Sequence, residues 1–226
     1  MSTTNGAEGV ESAVPAGTLT RGELVDRWIE MLLAVMLGAV TLATAWSGYQ
    51  AARWGGTQSI LFSQAGALRT ESMRASTQGG QQTQIDVAIF SNWINAYADE
   101  NEALVTFYQE RFRDEFKPAF EAWLATDPAN NPNAPSSPFA VPEYQLAKLD
   151  EAAQLELDAE AKFEEGRAAN QQSDDYILNA VILASVLFLA GIVTRFDWLP
   201  VRVAVIIAAL VLLGLGLYNI VVYPIA

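Results

Sequence analysis

The chain has 226 residues, of which 51% are apolar and only 17% are charged, and its formal net charge is −13. This combination is unusual in a soluble domain, where about 25% of residues are charged. The sequence contains no cysteine and no histidine. Disulfides, thiolate chemistry, imidazole bases and the commonest transition-metal sites are therefore excluded within the chain.

Three stretches contain no charged residue: 31–52, 176–194 and 203–226. Each is long enough to cross a hydrocarbon core, which takes about 20 helical residues. The first follows a polar leader and is longer than the apolar region of a signal peptide, so we expect a retained span. The sequence therefore predicts an all-α integral membrane protein. Its three transmembrane helices are predicted at 28–49, 176–195 and 202–224.

Arginines near the membrane ends set the predicted orientation, because Lys and Arg accumulate on the cytoplasmic side. Two lie before the first span and two in the link between the other spans: Arg21, Arg27, Arg195 and Arg202. Only Arg53 and Arg167 lie near the opposite ends. We therefore expect a cytoplasmic, mostly disordered segment 1–27 and a cytoplasmic loop 196–201. Residues 50–175 and the C-terminus are expected to be extracytoplasmic.

The predicted extracytoplasmic segment is strongly acidic, with 20 Asp and Glu against nine Lys and Arg. Nucleic acid and anionic lipid are poor partners for such a surface. We expect this charge to keep the segment soluble or to face cations. The partners predicted from the sequence are the lipid bilayer and another protein chain, with no nucleic acid.

The first span is predicted to continue as a helix over 50–78, because this stretch contains no proline and many helix formers. The glycine pair Gly79-Gly80 is the first strong helix breaker and is expected to end it. A bend at Gly55-Gly56 is the main alternative.

A second helix is predicted over 83–116, because its apolar residues recur at spacings of three and four. The stripe consists of Val87, Phe90, Ile94, Tyr97, Asn101, Leu104 and Tyr108. Asn101 is its one strongly polar member. It either fixes the register of the seam or is a slightly offset, exposed residue.

Proline positions divide the remainder of this segment. Pro118 suits a first helical turn, so a short helix is predicted over 118–125. Five prolines between Asp127 and Pro142 predict a loop over 126–142. The helical pattern then returns over 143–175 and is expected to enter the membrane as the second span. A three- or four-helix bundle is the simplest arrangement of these elements.

Small residues follow one face of the first helix at spacings of 4, 3, 4, 3, 4, 3 and 4. This small-residue seam consists of Ala34, Gly38, Thr41, Ala45, Gly48, Ala52, Gly55 and Ser59. In a membrane, small residues allow helix backbones to approach closely. The seam therefore predicts a partner helix, which is either the second span of the same chain or the same helix in another copy.

Several segments resemble a group of bacterial three-span membrane proteins without an assigned function. The similarity lies in ATAWSGYQAARW, FKPAFEAWLATDP, NPNAPSSPF, PEY and NQQSDDY. It covers most of the chain from about Arg27 and is most specific over 116–139. The resemblance implies a multi-pass protein of the bacterial plasma membrane and carries over no activity and no functional residue.

Acidic pairs occur at Glu164-Glu165 and Asp174-Asp175, and carboxylates can hold metal ions or transfer protons. Adjacent helical positions point about 100° apart, so we expect a solvated surface at both pairs. A weaker hypothesis is that Asp174 and Asp175 form an outer collar for cations. We predict no catalytic residue, no metal site and no cofactor.

Asn179 and Asn219 fall within the second and third predicted spans. Polar residues there usually face other helices, although they can also line a water-filled path. No span carries Lys, Arg, Asp or Glu at its centre, which argues against a proton pump or an ion-coupled carrier.

The sequence favours a non-enzymatic membrane scaffold or assembly protein, either self-associating or accessory to a larger membrane complex. One alternative is a receptor-like sensor that signals through a separate partner, because the predicted cytoplasmic segments leave no room for an output domain. The other alternative is an oligomeric pore.

Overall fold

The computed structural model describes residues 21–196 and 198–226, and these residues contain helices and no strand. The predicted all-α class is therefore confirmed for the described part of the chain. Two short 3-10 turns occur, at Pro138–Ala140 and Val193–Arg195. The α-helices are α1 (Arg21–Ala98), α2 (Glu102–Glu110), α3 (Lys117–Leu124), α4 (Ala147–Ile192) and α5 (Leu199–Val222).

Three of these helices, α1, α4 and α5, are long and apolar enough to span a membrane. This confirms the three predicted spans at the level of helix length and composition. Most of the segment 1–27, predicted to be disordered, lies outside the described residues, but residues 21–27 are helical.

The chain divides into two compact units. Residues 21–51 and 174–225 belong to the first, which we call the apolar unit. Residues 52–173 form the second, which we call the polar unit.

The apolar unit is a three-helix bundle formed by the first part of α1, the last part of α4, and α5. Its core includes Val40 from α1, Leu183 and Val186 from α4, and Ala209 from α5, all fully buried. The bundle is up-down-up, because α1 and α5 begin at the same end, where Arg202 donates to Asp26 at 2.9 Å.

The prediction that α1 ends at Gly79-Gly80 is wrong, because α1 is continuous from Arg21 to Ala98. Gly79 is buried against α4, and a Cβ built on it would lie 2.5 Å from Leu149 Cδ2. Each glycine costs a helix about 1 kcal/mol relative to alanine. Packing of α4 on this face offsets that cost, and no break forms.

The predicted single helix over 83–116 is also wrong, because α1 ends at Ala98 and α2 begins at Glu102. Glu100 adopts a left-handed backbone with φ 54°, and the Asn101 N–H donates to the carbonyl of Ala96 at 2.9 Å. This is a helix-terminating arrangement. The Asn101 carboxamide then caps α2 by accepting from the Leu104 N–H at 3.2 Å. Asn101 is therefore a helix cap and not a member of a seam.

The polar unit contains an antiparallel pair of long helices, α1 and α4, instead of the three- or four-helix bundle that we expected. Ser72 on α1 donates to the carbonyl of Ala152 on α4 at 2.8 Å. The rings of Phe62 on α1 and Phe163 on α4 stack with their centroids 5.2 Å apart. Phe62 precedes Ser72 in the sequence, whereas Phe163 follows Ala152. The α1 residue number thus falls as the α4 residue number rises.

One end of the polar unit is closed by α2, α3 and the loop that follows them. Helix α3 begins at Lys117 with Pro118 in its first turn, one residue before the predicted start. Helix α4 begins at Ala147, four residues after the predicted start at 143. Between α3 and α4 the chain forms turns and one 3-10 turn, in the segment predicted as a proline-rich loop.

Candidate functional sites

The small-residue seam lies on the exposed side of α1. Seven of its eight members are exposed, and Gly55 is partly buried. The residues of α1 that are buried in the apolar unit are Leu33, Met36, Val40, Ala43, Ser47, Gln50 and Ala51. At 100° per residue, the mean direction of this stripe differs from that of the seam by about 130°. Helices α4 and α5 therefore leave the seam uncovered in the apolar unit, and α4 approaches it only at Gly55, where a Cβ would lie 3.8 Å from Ser173 Oγ.

Glycine contacts support this separation. A Cβ built on Gly38 or Gly48 of the seam would meet nothing within 4 Å. By contrast, a Cβ on the buried Gly216 of α5 would lie 2.6 Å from Leu183 Cδ2. Packing within the chain thus requires the small size of Gly216 but not that of the seam glycines.

The two predicted intramembrane asparagines are in contact with each other. Asn179 is fully buried, and its carboxamide oxygen accepts from Asn219 Nδ2 at 3.1 Å. Its own Nδ2 donates to Ser47 Oγ at 3.0 Å and to the Gly216 carbonyl at 3.1 Å. One side chain thus joins all three helices of the apolar unit. Buried polar groups that are hydrogen-bonded in this way hold helices in register.

The acidic pairs of α4 differ in their surroundings. Glu164 accepts from Arg167 at 3.0 Å, and Glu165 accepts from Lys162 at 2.7 Å. These are ion pairs along one exposed helix surface. Asp174 is exposed and Asp175 is partly buried. Within residues 21–196 and 198–226, no three acidic side chains are grouped so that they could hold a metal ion.

A buried aromatic cluster, which the sequence did not reveal, joins the end of α1 to α3. Trp93 contacts Phe120 edge-on at 4.8 Å, and Phe90 contacts Trp123 edge-on at 5.3 Å. Other members include Phe112 and Phe116, which contact each other at 5.0 Å. The closely spaced aromatic residues of 107–123 are a sequence signal for this cluster. The single helix predicted over 83–116 instead places Tyr108 on a straight helical stripe.

Beside this cluster lies a cavity of about 480 Å³. We call it the loop cavity, because the last turns of α1, the end of α3 and the loop 127–136 line it. Its walls include Trp93, Tyr97, Trp123 and Asp127. The volume falls within the usual range of small-molecule sites, about 300–1,000 Å³.

Asp86 of α1 forms a second polar site in the polar unit. It is 1% exposed, and its Oδ2 accepts from Arg113 Nη1 at 2.8 Å and from the Tyr144 hydroxyl at 3.2 Å. Arg113 also contacts the Glu115 carboxylate. Burial raises the pKa of Asp86, although the Arg113 guanidinium and both hydrogen bonds oppose the shift. The Asp86 carboxylate thus links α1 to Arg113 and to Tyr144, which lie in two segments distant in the sequence.

Comparisons with protein-family models, curated proteins and solved structures found no match to this chain. The Asp86 site, the aromatic cluster and the loop cavity join segments that are distant in the sequence, and none of the three was predicted from it.

Proposed function

We propose that this chain is a non-enzymatic integral membrane scaffold that associates with a second copy of itself through the small-residue seam of α1. The observation that supports the proposal is the position of the seam. Seven of its eight members are exposed, and it points about 130° away from the residues of α1 that are buried in the apolar unit.

The physical argument follows from the lipid environment. Lipid tails are as apolar as leucine, so association of spanning helices depends on close packing and hydrogen bonds. A seam of Ala, Gly and Thr lets two copies of α1 approach closely, and each copy keeps its own α4 and α5 on the other face. A symmetric dimer uses the same surface twice, which is the commonest form of self-association.

The membrane orientation is part of the same proposal. Arg27, Arg195 and Arg202 favour a cytoplasmic location for the ends that carry them, which puts the polar unit outside the bacterial plasma membrane. The cysteine-free sequence allows a direct test. A single cysteine introduced by Asn130→Cys should react with an impermeant maleimide on intact spheroplasts. Reaction only after membrane lysis would reverse the orientation.

The mass of the purified chain in a neutral maltoside detergent tests the self-association. The wild type should be at least dimeric, whereas Gly38→Ile with Gly48→Ile should be monomeric, because branched side chains prevent close approach. Nothing lies within 4 Å of a Cβ at either position, so the fold of one copy should be retained.

Gly191→Ile is the matched control. Gly191 is exposed on α4, and a Cβ there also meets nothing within 4 Å. This variant should keep the wild-type mass. A monomeric wild type, or an unchanged mass in the seam double variant, would contradict self-association through α1. Co-purification of one different chain at fixed stoichiometry with a monomeric wild type would instead indicate an accessory subunit.

A second candidate function is that of a sensor, which the loop cavity favours. Its aromatic walls and its volume of about 480 Å³ suit a small ligand. A separate signalling partner would then be required. Ligand-dependent thermal stabilisation of the full chain would support this function, and a flat response across metabolites and cations would argue against it.

A further inference from the structure

The loop cavity is built from a fixed set of backbone and side-chain contacts. Trp123 Nε1 donates to the Pro135 carbonyl at 2.8 Å, and Asn131 Nδ2 donates to the Thr126 carbonyl at 3.0 Å. These bonds fasten both halves of the loop to the end of α3. These two hydrogen bonds, made by residues of the loop and of the end of α3, therefore hold the cavity open.

The lining of the loop cavity carries negative charge and no positive charge. Asp127 is the only charged residue among those that line the cavity. Asn130 Nδ2 donates to both of its carboxylate oxygens at 3.1 Å, which fixes the carboxylate without neutralising it. Asp127 also adopts a left-handed backbone with φ 52°. The cavity therefore favours a cation and disfavours an anion.

The lining also decides which kind of cation fits. A bare metal ion needs several oxygen ligands, and one carboxylate engaged with an amide does not supply them. Tyr97 and Trp123 instead provide aromatic surface, and Pro128 and Pro135 add apolar surface. Aromatic rings attract organic ammonium groups through the negative potential of their faces.

We propose that the loop cavity binds an organic ammonium ion. The ammonium group lies near Asp127 and the rings of Tyr97 and Trp123. This site is independent of the seam, so its occupancy does not depend on self-association.

Calorimetric titration of the full chain in maltoside detergent tests the site. Phosphocholine detergents are unsuitable, because their headgroups carry the same trimethylammonium group as the probe. The probe is acetylcholine, and the matched neutral ligand is 3,3-dimethylbutyl acetate, in which carbon replaces the charged nitrogen. Acetylcholine should bind saturably and about tenfold more tightly than the neutral ester.

Two variants locate the site. Asp127→Asn removes the charge while keeping a side chain that tolerates a left-handed backbone. Ala129→Phe places a ring at an exposed position of the lining and should block the cavity. Both should weaken acetylcholine binding about tenfold or more. Glu121→Gln, which removes the same charge from exposed α3 surface outside the lining, should bind as the wild type does.

Four results would overturn the proposal. They are no saturable heat with acetylcholine, equal affinity for the neutral ester, retained affinity in Asp127→Asn, and retained affinity in Ala129→Phe. If one variant loses helicity, the other variant and the comparison of acetylcholine with the neutral ester still test the proposal.

Discussion

Gly166 of α4 has no side chain, and the ring of Phe62 lies where one would be. A Cβ built on Gly166 would lie 2.5 Å from two ring carbons of Phe62. The ring cannot move freely, because it stacks on Phe163 at 5.2 Å. This glycine is therefore required by helix packing and does not act as a helix breaker.

We expect Gly166→Ala to lower the free energy of unfolding by about 1–3 kcal/mol, because it forces the helices apart. Gly66→Ala is the matched control, since Gly66 is exposed on α1 and nothing lies within 4 Å of its built Cβ. This control should raise stability by about 0.5–1 kcal/mol. Thermal unfolding of the full chain in detergent measures both changes. Equal effects of the two substitutions would contradict the close helix contact.

Asp86 predicts a pH dependence of opposite sign to that of most carboxylates. Burial raises its pKa in the folded chain, so the folded state binds more protons than the unfolded state above the ordinary pKa. The free energy of unfolding therefore contains a contribution that is full below about pH 4 and falls as pH rises through the folded pKa. Asp86→Asn lacks this contribution.

The difference in melting temperature between wild type and Asp86→Asn isolates this group from the other carboxylates. That difference, taken as wild type minus variant, should decrease as pH rises from about 4. An increase with pH would mean that Arg113 and Tyr144 outweigh the cost of burial. A constant difference would mean that the pKa of Asp86 is not raised.

At the scale of elements, the antiparallel pairing of α1 with α4 has a definite register. Arg69 of α1 donates to Glu160 of α4 at 3.1 Å, and its guanidinium lies 5.1 Å from the ring centroid of Phe163. We expect Arg69→Cys with Glu160→Cys to be joined by a short bismaleimide. Asp150 lies ten residues earlier in α4, about 15 Å along the helix. Arg69→Cys with Asp150→Cys should therefore not be joined.

Mass spectrometry of the cross-linked peptides reads out this experiment, and dilution separates links within one chain from links between chains. Linking of the Asp150 pair at high dilution, without linking of the Glu160 pair, would place α4 in a different register. Such a register would also be incompatible with the hydrogen bond between Ser72 and Ala152.

The sequence predicted elements whose signal is local and missed those that depend on distant contacts. The charge-free runs revealed all three candidate spans, because hydropathy is a property of each segment alone. Gly79-Gly80 suggested a helix end, but packing of Leu149 from α4 keeps the helix intact. Local pattern also misassigned Asn101, which caps α2.

The candidate sites follow the same rule. The seam was visible because its spacing lies within one helix. The Asp86 site was not, because Arg113 and Tyr144 follow it by 27 and 58 residues. The loop cavity likewise combines Trp93 with Asp127, which only the folded chain brings to one wall.

For the molecule as a whole, we propose that two different faces of α1 have different partners. One face packs against α4 and α5 in the apolar unit, and the small-residue seam would meet a second copy. Both Thr41 of the seam and its neighbour Leu42 are exposed in a single chain. They differ by only about 1.5 Å along the helix axis, but their side chains point about 100° apart.

Oxidative cross-linking in native membranes tests this claim most directly, because the wild-type chain contains no cysteine. Thr41→Cys should form a disulfide-linked dimer under a mild oxidant, and Leu42→Cys should remain largely monomeric. Equal cross-linking at both positions, or a dimer formed only through Leu42→Cys, would contradict self-association through the seam.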